Sequence, residues 1–219
     1  MAVVDAHYNF VVVDFGGYGK QSDGNVLANS TFGKKLLNMY LALPPPEPIT
    51  GTSELRLPFV FVGDEAFPLL PNILRPYPGD YIPYEKSVYN CRLSRARRVV
   101  ENVFGILASK FRFLRRSMIM SPNNAEAIVL GAAALHNFLR REVGLHYIGP
   151  KSTDYETSRG DWQPGQWRAE GVGNMLRPMQ RHGKQSTDSA AAVQDAFKTY
   201  FCSEGGAVSW QEAVVNRTS

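Results

Sequence analysis

Residues 97–111 read RRVVENVFGILASKF, and no other stretch constrains the fold as strongly. Val99, Val100, Val103, Phe104, Ile106, Leu107 and Phe111 fall nearly all round a helical wheel. A helix apolar on most faces is buried, so the rest of the chain has to wrap it. The spacing predicts one long helix, or two in series, over 89–116. Glu101 sits in its middle, and a carboxylate there needs a partner. Two readings stay open. Arg97 and Arg98 lie four and three residues before it, which suits an ion pair on one helix face. The other reading is a metal ligand.

The elements around this helix alternate in type. Val3 and Val4, then FVVVDF, read as two strands joined by the turn DAHYN, hence an antiparallel pair. A helix is expected over 26–43, stopped by PPPEP because consecutive prolines cannot continue it. The apolar run 59–62 reads as a strand that ends in Gly63 and Asp64. LLPNILRPYPGDYIP reads as irregular, with room for a short extended stretch. A helix over 122–142 has a full set of end signals: Ser121 to cap it, Pro122 at its first position, Arg140 and Arg141 in its last turn, and Gly144 beyond. Residues 145–188 are polar and rich in Gly, Ser and Pro. A last helix over 189–201 places Val193, Phe197 and Phe201 on one face. Strands interleaved with helices imply an α/β domain with a mixed sheet. The expected organisation is a core domain over 1–143, a polar loop or linker over 144–188, and a helix with tail over 189–219.

The chain has 219 residues, 44% hydrophobic and 20% charged, which suits one sizeable core. No apolar run approaches the roughly 20 residues of a membrane span. The opening MAVVDAHYNF lacks the basic and apolar regions of a secretion signal, and two cysteines make no disulfide framework. The expectation is a reducing intracellular compartment, not secretion. Its net charge of +4 is uneven. Arg92, Arg95, Arg97, Arg98, Lys110, Arg112, Arg115 and Arg116 stand against one acid, Glu101, so residues 92–116 carry +7 and the remainder −3. Such a stripe suits a polyanion such as DNA or a solvated helix face.

Asp64, at the end of its strand, is the second acid of interest. Two hard carboxylates suit Mg²⁺ or Mn²⁺, and two-metal phosphoryl chemistry needs about three acids from separate elements. GGYGKQSDG fits neither a P-loop nor GxGxxG and reads as a turn, with Asp23 able to cap the next helix. The histidines are scattered, so a zinc site lacks support, and His136 reads as a buried, hydrogen-bonded residue. GxSxG and HExxH are absent.

Taken together, DFGGYGKQSDGNVLANS, FVGDEAFPLLPNILRPYPG, YNCRLSRARRVVENVFGILASKFRFLRR and ALHNFLR resemble the PIF/Harbinger DDE transposase superfamily, with its Harbinger transposase-derived nucleases and plant ALP-like proteins. The resemblance implies an RNase H-like core and a divalent-metal nuclease or transposase cutting DNA. Asp64 matches the family's second acid and Glu101 its third, thirty-seven residues on. The family's first acid lies in a strand before the segment matched by AVVDAHYNF, so the resemblance implies a chain incomplete at its N-terminus. Mg or Mn is then expected to be weakly held, and cleavage by this chain is not expected. In the family's fold the absent strand lies beside both AVVDA and FVFVGD, leaving each short of a neighbour. The resemblance also implies a Myb-like DNA-binding partner and a place in the nucleus and cytoplasm. The alternative reading is a non-catalytic derivative that contacts DNA or protein.

Overall fold

The computed structural model describes residues 1–15, 23–49, 55–157, 161–171 and 187–218. In chain order the elements are β1 (Ala2–Val4), β2 (Phe10–Val13), α1 (Asp23–Asn29), α2 (Thr31–Leu37), β3 (Glu47–Pro48), β4 (Arg56–Leu57), β5 (Phe61–Val62), β6 (Ile73–Leu74), α3 (Tyr84–Lys110), α4 (Pro122–Glu142), β7 (Tyr155–Glu156), β8 (Trp162–Gln163), α5 (Gln166–Ala169), α6 (Asp188–Cys202) and α7 (Gln211–Thr218). The chain divides into two compact units, one of residues 1–21 and 98–178, the other of 22–97 and 179–219. The unit boundary falls inside α3.

The first unit begins with the expected antiparallel pair. Ala2 faces Val13, Val3 faces Val12, and a bulge shifts the register so that Val4 faces Phe10. Asp5 ties the connecting turn: its Oδ1 accepts the backbone N–H groups of His7 (2.8 Å) and Asn9 (2.9 Å). Tyr8 takes a positive φ of 66° there. Helix α4 starts and stops where its end signals place it. Ser121 caps it by accepting the Asn124 N–H, and Arg140 and Arg141 occupy its last turn. Asn137 of α4 acts as a strand neighbour for β2, accepting the Phe10 N–H and donating to the Phe10 carbonyl, both at 2.8 Å. Phe10, Val103, Leu107, Ala132 and Ala133 form the core between β2, α3 and α4.

His136 is fully buried, as its setting in ALHNFL suggests. Its Nε2 lies 2.7 Å from the Tyr8 carbonyl, which can only accept, so Nε2 carries the proton. Nδ1 then accepts from the Tyr147 hydroxyl at 3.0 Å. Burial, opposed by the bond to Tyr8, holds the imidazole pKa below its usual 6.5.

In the second unit the helix expected over 26–43 is two short helices broken at Ser30. The Ser30 side chain accepts the Gly33 N–H (2.8 Å) and donates to the Leu27 carbonyl (2.7 Å), so it ends α1 and caps α2 at once. A Cβ on Gly33 would fall 1.8 Å from the Leu27 carbonyl oxygen, so only glycine permits this corner. Asn38 closes α2 well before the prolines. Strand β5 is shorter than the 59–62 run and pairs in parallel with β6, which is the extended stretch inside the segment read as irregular. Leu69, Leu74, Tyr89, Leu93 and Ala190 form this unit's core, with Val193, Phe197 and Phe201 of α6 packed against it.

The molecule is α/β, but the one mixed sheet expected from the sequence is absent among the described residues. Four separate two-stranded pairs stand in its place: β1–β2, β3–β4 and β7–β8 antiparallel, β5–β6 parallel. Neither β1 nor β5 has a second strand beside it among the described residues. The central helix also differs, because α3 begins at Tyr84 directly after Pro83 and ends at Lys110. Phe111, at φ −104° and ψ 77°, breaks it before a 3-10 turn over Arg112–Arg115.

Candidate active site

Asp64 and Glu101 belong to different units, and each is described within its own. Asp64 follows β5, and Gly63 beside it donates to the Leu74 carbonyl, extending the parallel pair (2.8 Å). A Cβ on Gly63 would meet the Phe67 ring at 2.9 Å, which keeps this corner tight. The Asp64 carboxylate accepts the Ala66 N–H at 2.9 Å, an Asx turn that fixes its direction. Its other oxygen lies 3.7 Å from Arg97 of α3, with 38% of the side chain exposed. At that distance and exposure the pair is weak.

Glu101 has a different partner from either arginine considered from the sequence. Arg97 turns to Asp64, and Arg98 pairs with Glu156 of β7 at 2.5 Å. The guanidinium that reaches Glu101, at 3.1 Å, belongs to Arg168 of α5. Arg168 is also forked onto Asp154: its Nε lies 2.8 and 3.1 Å from the two oxygens and its Nη2 lies 2.6 Å from one of them. Its flat face lies 4.2 Å from the Trp167 ring centre and 5.3 Å from that of Trp162. The hydrogen bonds Arg168 donates to Asp154, with that to Glu101 adding to them, raise the Arg168 pKa above its usual value. Asp154 itself has a side chain only 1% exposed and accepts the Gly165 N–H as well.

The residues around Glu101 on α3 form the seat for this group. Asn102 accepts both the Asp154 N–H and the Trp167 indole N–H through one oxygen, each at 2.9 Å. One turn on, a Cβ at Gly105 would lie 2.1 Å from the indole, so glycine opens the slot that Trp167 fills. Trp167 is 2% exposed. Arg115 and Ser109 hold Glu170, at the far end of α5. Glu101, Asn102 and Gly105 of VVENVFG therefore bind Asp154, Trp167 and Arg168, in the stretch read from sequence as polar loop or linker. Asp154, Trp167 and Arg168 were not singled out in that stretch. The signal was DYETSRGDWQPGQWRAE, where two tryptophans stand in an otherwise polar run; a residue that large seldom goes without a packing partner.

The Glu101 Oε2 accepts from a guanidinium, and Asp154, which shares that guanidinium, is closed by Arg168 and Gly165. Among the described residues no three His, Cys, Asp or Glu side chains gather as a metal site. The donors around Glu101 thus fit an arginine and do not fit a resident Mg²⁺ or Mn²⁺.

The eight bases of residues 92–116 do not share one environment. Arg92 donates to the Gly206 carbonyl (3.1 Å) and lies over the Phe201 ring at 4.6 Å. Arg95 stacks on Trp210. Arg97 and Arg98 have the acids named above, and Arg115 donates to the Ala108 carbonyl (2.8 Å) and to Glu170. Lys110, Arg112 and Arg116 carry exposed side chains.

Residues 1–137 match the family model described as DDE superfamily endonuclease. The chain is also similar to Protein ALP1-like of Arabidopsis thaliana, 32% identical over 145 residues that cover 63% of this chain and 34% of that protein. The chain thus spans about a third of that relative's length. No solved structure matches it. With the matched region holding Asp64, Glu101 and the helix that seats the 154–170 segment, the chain belongs to the DDE superfamily endonucleases.

Proposed function

We propose that this chain binds the DNA backbone through Lys110, Arg112 and Arg116, and that it descends from metal-dependent DNA nucleases without cleaving DNA by itself. Three exposed bases within seven residues, at the end of the helix that bears Glu101, carry this reading. Lys110 is the last residue of α3, Arg112 opens the 3-10 turn and Arg116 closes it, so their spacing is set by the backbone. Members of the superfamily generally use divalent metals, and its RNase H-like core is the arrangement to which Asp64 and Glu101 correspond by resemblance. In complete members such acids serve attack on a DNA phosphate, where positioning and charge stabilisation dominate.

The test is a salt titration of binding to mixed-sequence duplex DNA. Each phosphate neutralised contributes about −0.9 to the slope of log K against log salt. Replacing Lys110, Arg112 and Arg116 by Ala is expected to flatten that slope by about 2–3. An unchanged slope in the folded triple variant would refute the assignment. Plasmid nicking with Mg²⁺ or Mn²⁺ that Glu101→Gln abolishes would refute the non-cleaving part.

A second reading, a protein-binding derivative, is favoured by one observation. Ile128, Leu135 and Phe138 of α4 are exposed, the last two at 52% and 50%, with Gly131 and Ala134 exposed between them. Such a stripe suits an apolar partner surface; a Myb-like DNA-binding protein, located with this chain in nucleus and cytoplasm, is the partner this reading names. Leu135→Glu is expected to abolish that complex and leave DNA binding intact.

A further inference from the structure

We infer that Arg168 is a built-in counter-ion for Glu101, standing in the role a divalent cation has in a nuclease, and that Mn²⁺ or Mg²⁺ cannot use Glu101 while Arg168 is in place. The inference rests on reading Glu101 as the superfamily's third acid. Three independent features hold the guanidinium there. Asp154 takes it in a two-pronged bond, and the Asp154 side chain is itself 1% exposed, so that anchor does not exchange with water. The Trp167 ring, locked in the slot opened by Gly105 and bonded to Asn102, supports its flat face. The backbone that presents it runs close against residues 152–154, since a Cβ at Gly165 would lie 2.6–2.8 Å from backbone atoms of Ser152, Thr153 and Asp154. Arg168 is thus pre-organised, and little freedom is lost when it meets Glu101.

The charges facing the group from every side agree with this assignment. Glu101 and Asp154 supply two negative charges and Arg168 one positive charge. The neighbouring acids Glu156 and Glu170 are taken by Arg98 and Arg115, so neither is available to complete a metal shell. A dication approaching Glu101 meets a fixed positive charge, and among the described residues no three His, Cys, Asp or Glu side chains gather to receive it. Magnesium also gives up its water reluctantly and asks for near-octahedral oxygen ligands. Arginine cannot step aside by losing its proton at any ordinary pH. Only movement of the 154–170 segment off α3 would open Glu101.

Electron paramagnetic resonance of free Mn²⁺, with the purified chain in excess, tests this directly. The unchanged chain is expected to bind no Mn²⁺ through Glu101 up to about 1 mM, a concentration at which weak two-carboxylate sites fill. Arg168→Gln is expected to create a site at least tenfold tighter than any in the parent. Adding Glu101→Gln to that variant should remove the new site. A site of equal strength in parent and Arg168→Gln, weakened by Glu101→Gln, would overturn the inference, as would a folded Arg168→Gln chain that gains no site. Should Arg168→Gln fail to fold, the parent protein decides alone: its Trp167 indole N–H, bonded to the residue next to Glu101, should keep its NMR line width at equimolar Mn²⁺. Selective broadening of that line would overturn the inference too. Failure of the DNA salt titration would sink the functional reading and leave these metal results standing, so the two failures can be told apart.

Discussion

Each of the two acids assigned by resemblance meets an arginine, and the two meetings differ in kind. Asp64 and Arg97 are 3.7 Å apart, and nothing described beyond α3 steadies the arginine. Glu101 and Arg168 are 3.1 Å apart, and the arginine is steadied by a buried aspartate, two indole rings and a tight backbone turn. The carboxylates are equally exposed, at 38% each. What separates them is the preparation of the cation. A contact between two mobile surface charges contributes about 0–1 kcal/mol, whereas a cation already ordered by other bonds loses less entropy in making one more.

The comparison can be broken at its strongest support first. Trp167→Ala removes a buried indole from the slot at Gly105 and should cost about 3–5 kcal/mol in chemical unfolding, with loss of protection in amides of residues 154–170. A cost under 1 kcal/mol would mean that the segment is not docked on α3. Arg168→Ala should come next, at about 3 kcal/mol, because it strands the buried Asp154 carboxylate. Arg168→Ala with Asp154→Asn should recover part of that loss, and a purely additive double variant would contradict the pairing.

Acid should loosen the same region by a smaller amount. Hydrogen bonds from Arg115 and Ser109 hold the Glu170 pKa below its usual 4.5. A carboxylate lowered in the folded state contributes stability that is present above about pH 4.5 and lost as pH falls through the folded value. Glu170→Gln should therefore reduce the pH dependence of stability below 4.5 and leave it unchanged near pH 7; Trp emission during urea titrations at each pH measures this. Arg97→Ala should have the smallest effect, about 0.5 kcal/mol or less. A loss above 1.5 kcal/mol would show that Asp64 is held as firmly as Glu101.

Much of the fold was legible because some signals are local. Ser121, Pro122 and Arg140 mark the ends of α4 by chemistry acting within one turn, and Val193, Phe197 and Phe201 mark the buried face of α6. The antiparallel β1–β2 pair was legible from two apolar runs about a short turn. Other features depend on contacts that the local pattern does not carry. Ser30 has a helical pattern on both sides, and only its simultaneous bonds to Leu27 and Gly33 make it a break. The 59–62 run looks like a longer strand, but only Phe61 and Val62 find a partner. Glu101 was rightly expected to need a partner. Its arginine, however, lies sixty-seven residues downstream in a stretch whose polarity reads as loop, and proximity along the helix pointed to Arg97 and Arg98. The basic stripe misleads for a similar reason: charge density does not reveal which arginines already hold a carbonyl, a carboxylate or a ring.

The boundary inside α3 has a consequence for how such a chain can be dissected or recombined. Val88, Tyr89 and Leu93 of this helix are buried in one unit, and Val103, Ile106 and Leu107 in the other. A crossover or a protease cut between residues 97 and 98 would leave each piece with half of this helix, and each unit would have residues on both sides of the break. Helices of about 12–15 residues are marginal alone in water, so neither piece would inherit a ready-made terminal element. No single cut of the chain therefore separates the two units, although each encloses a core of its own.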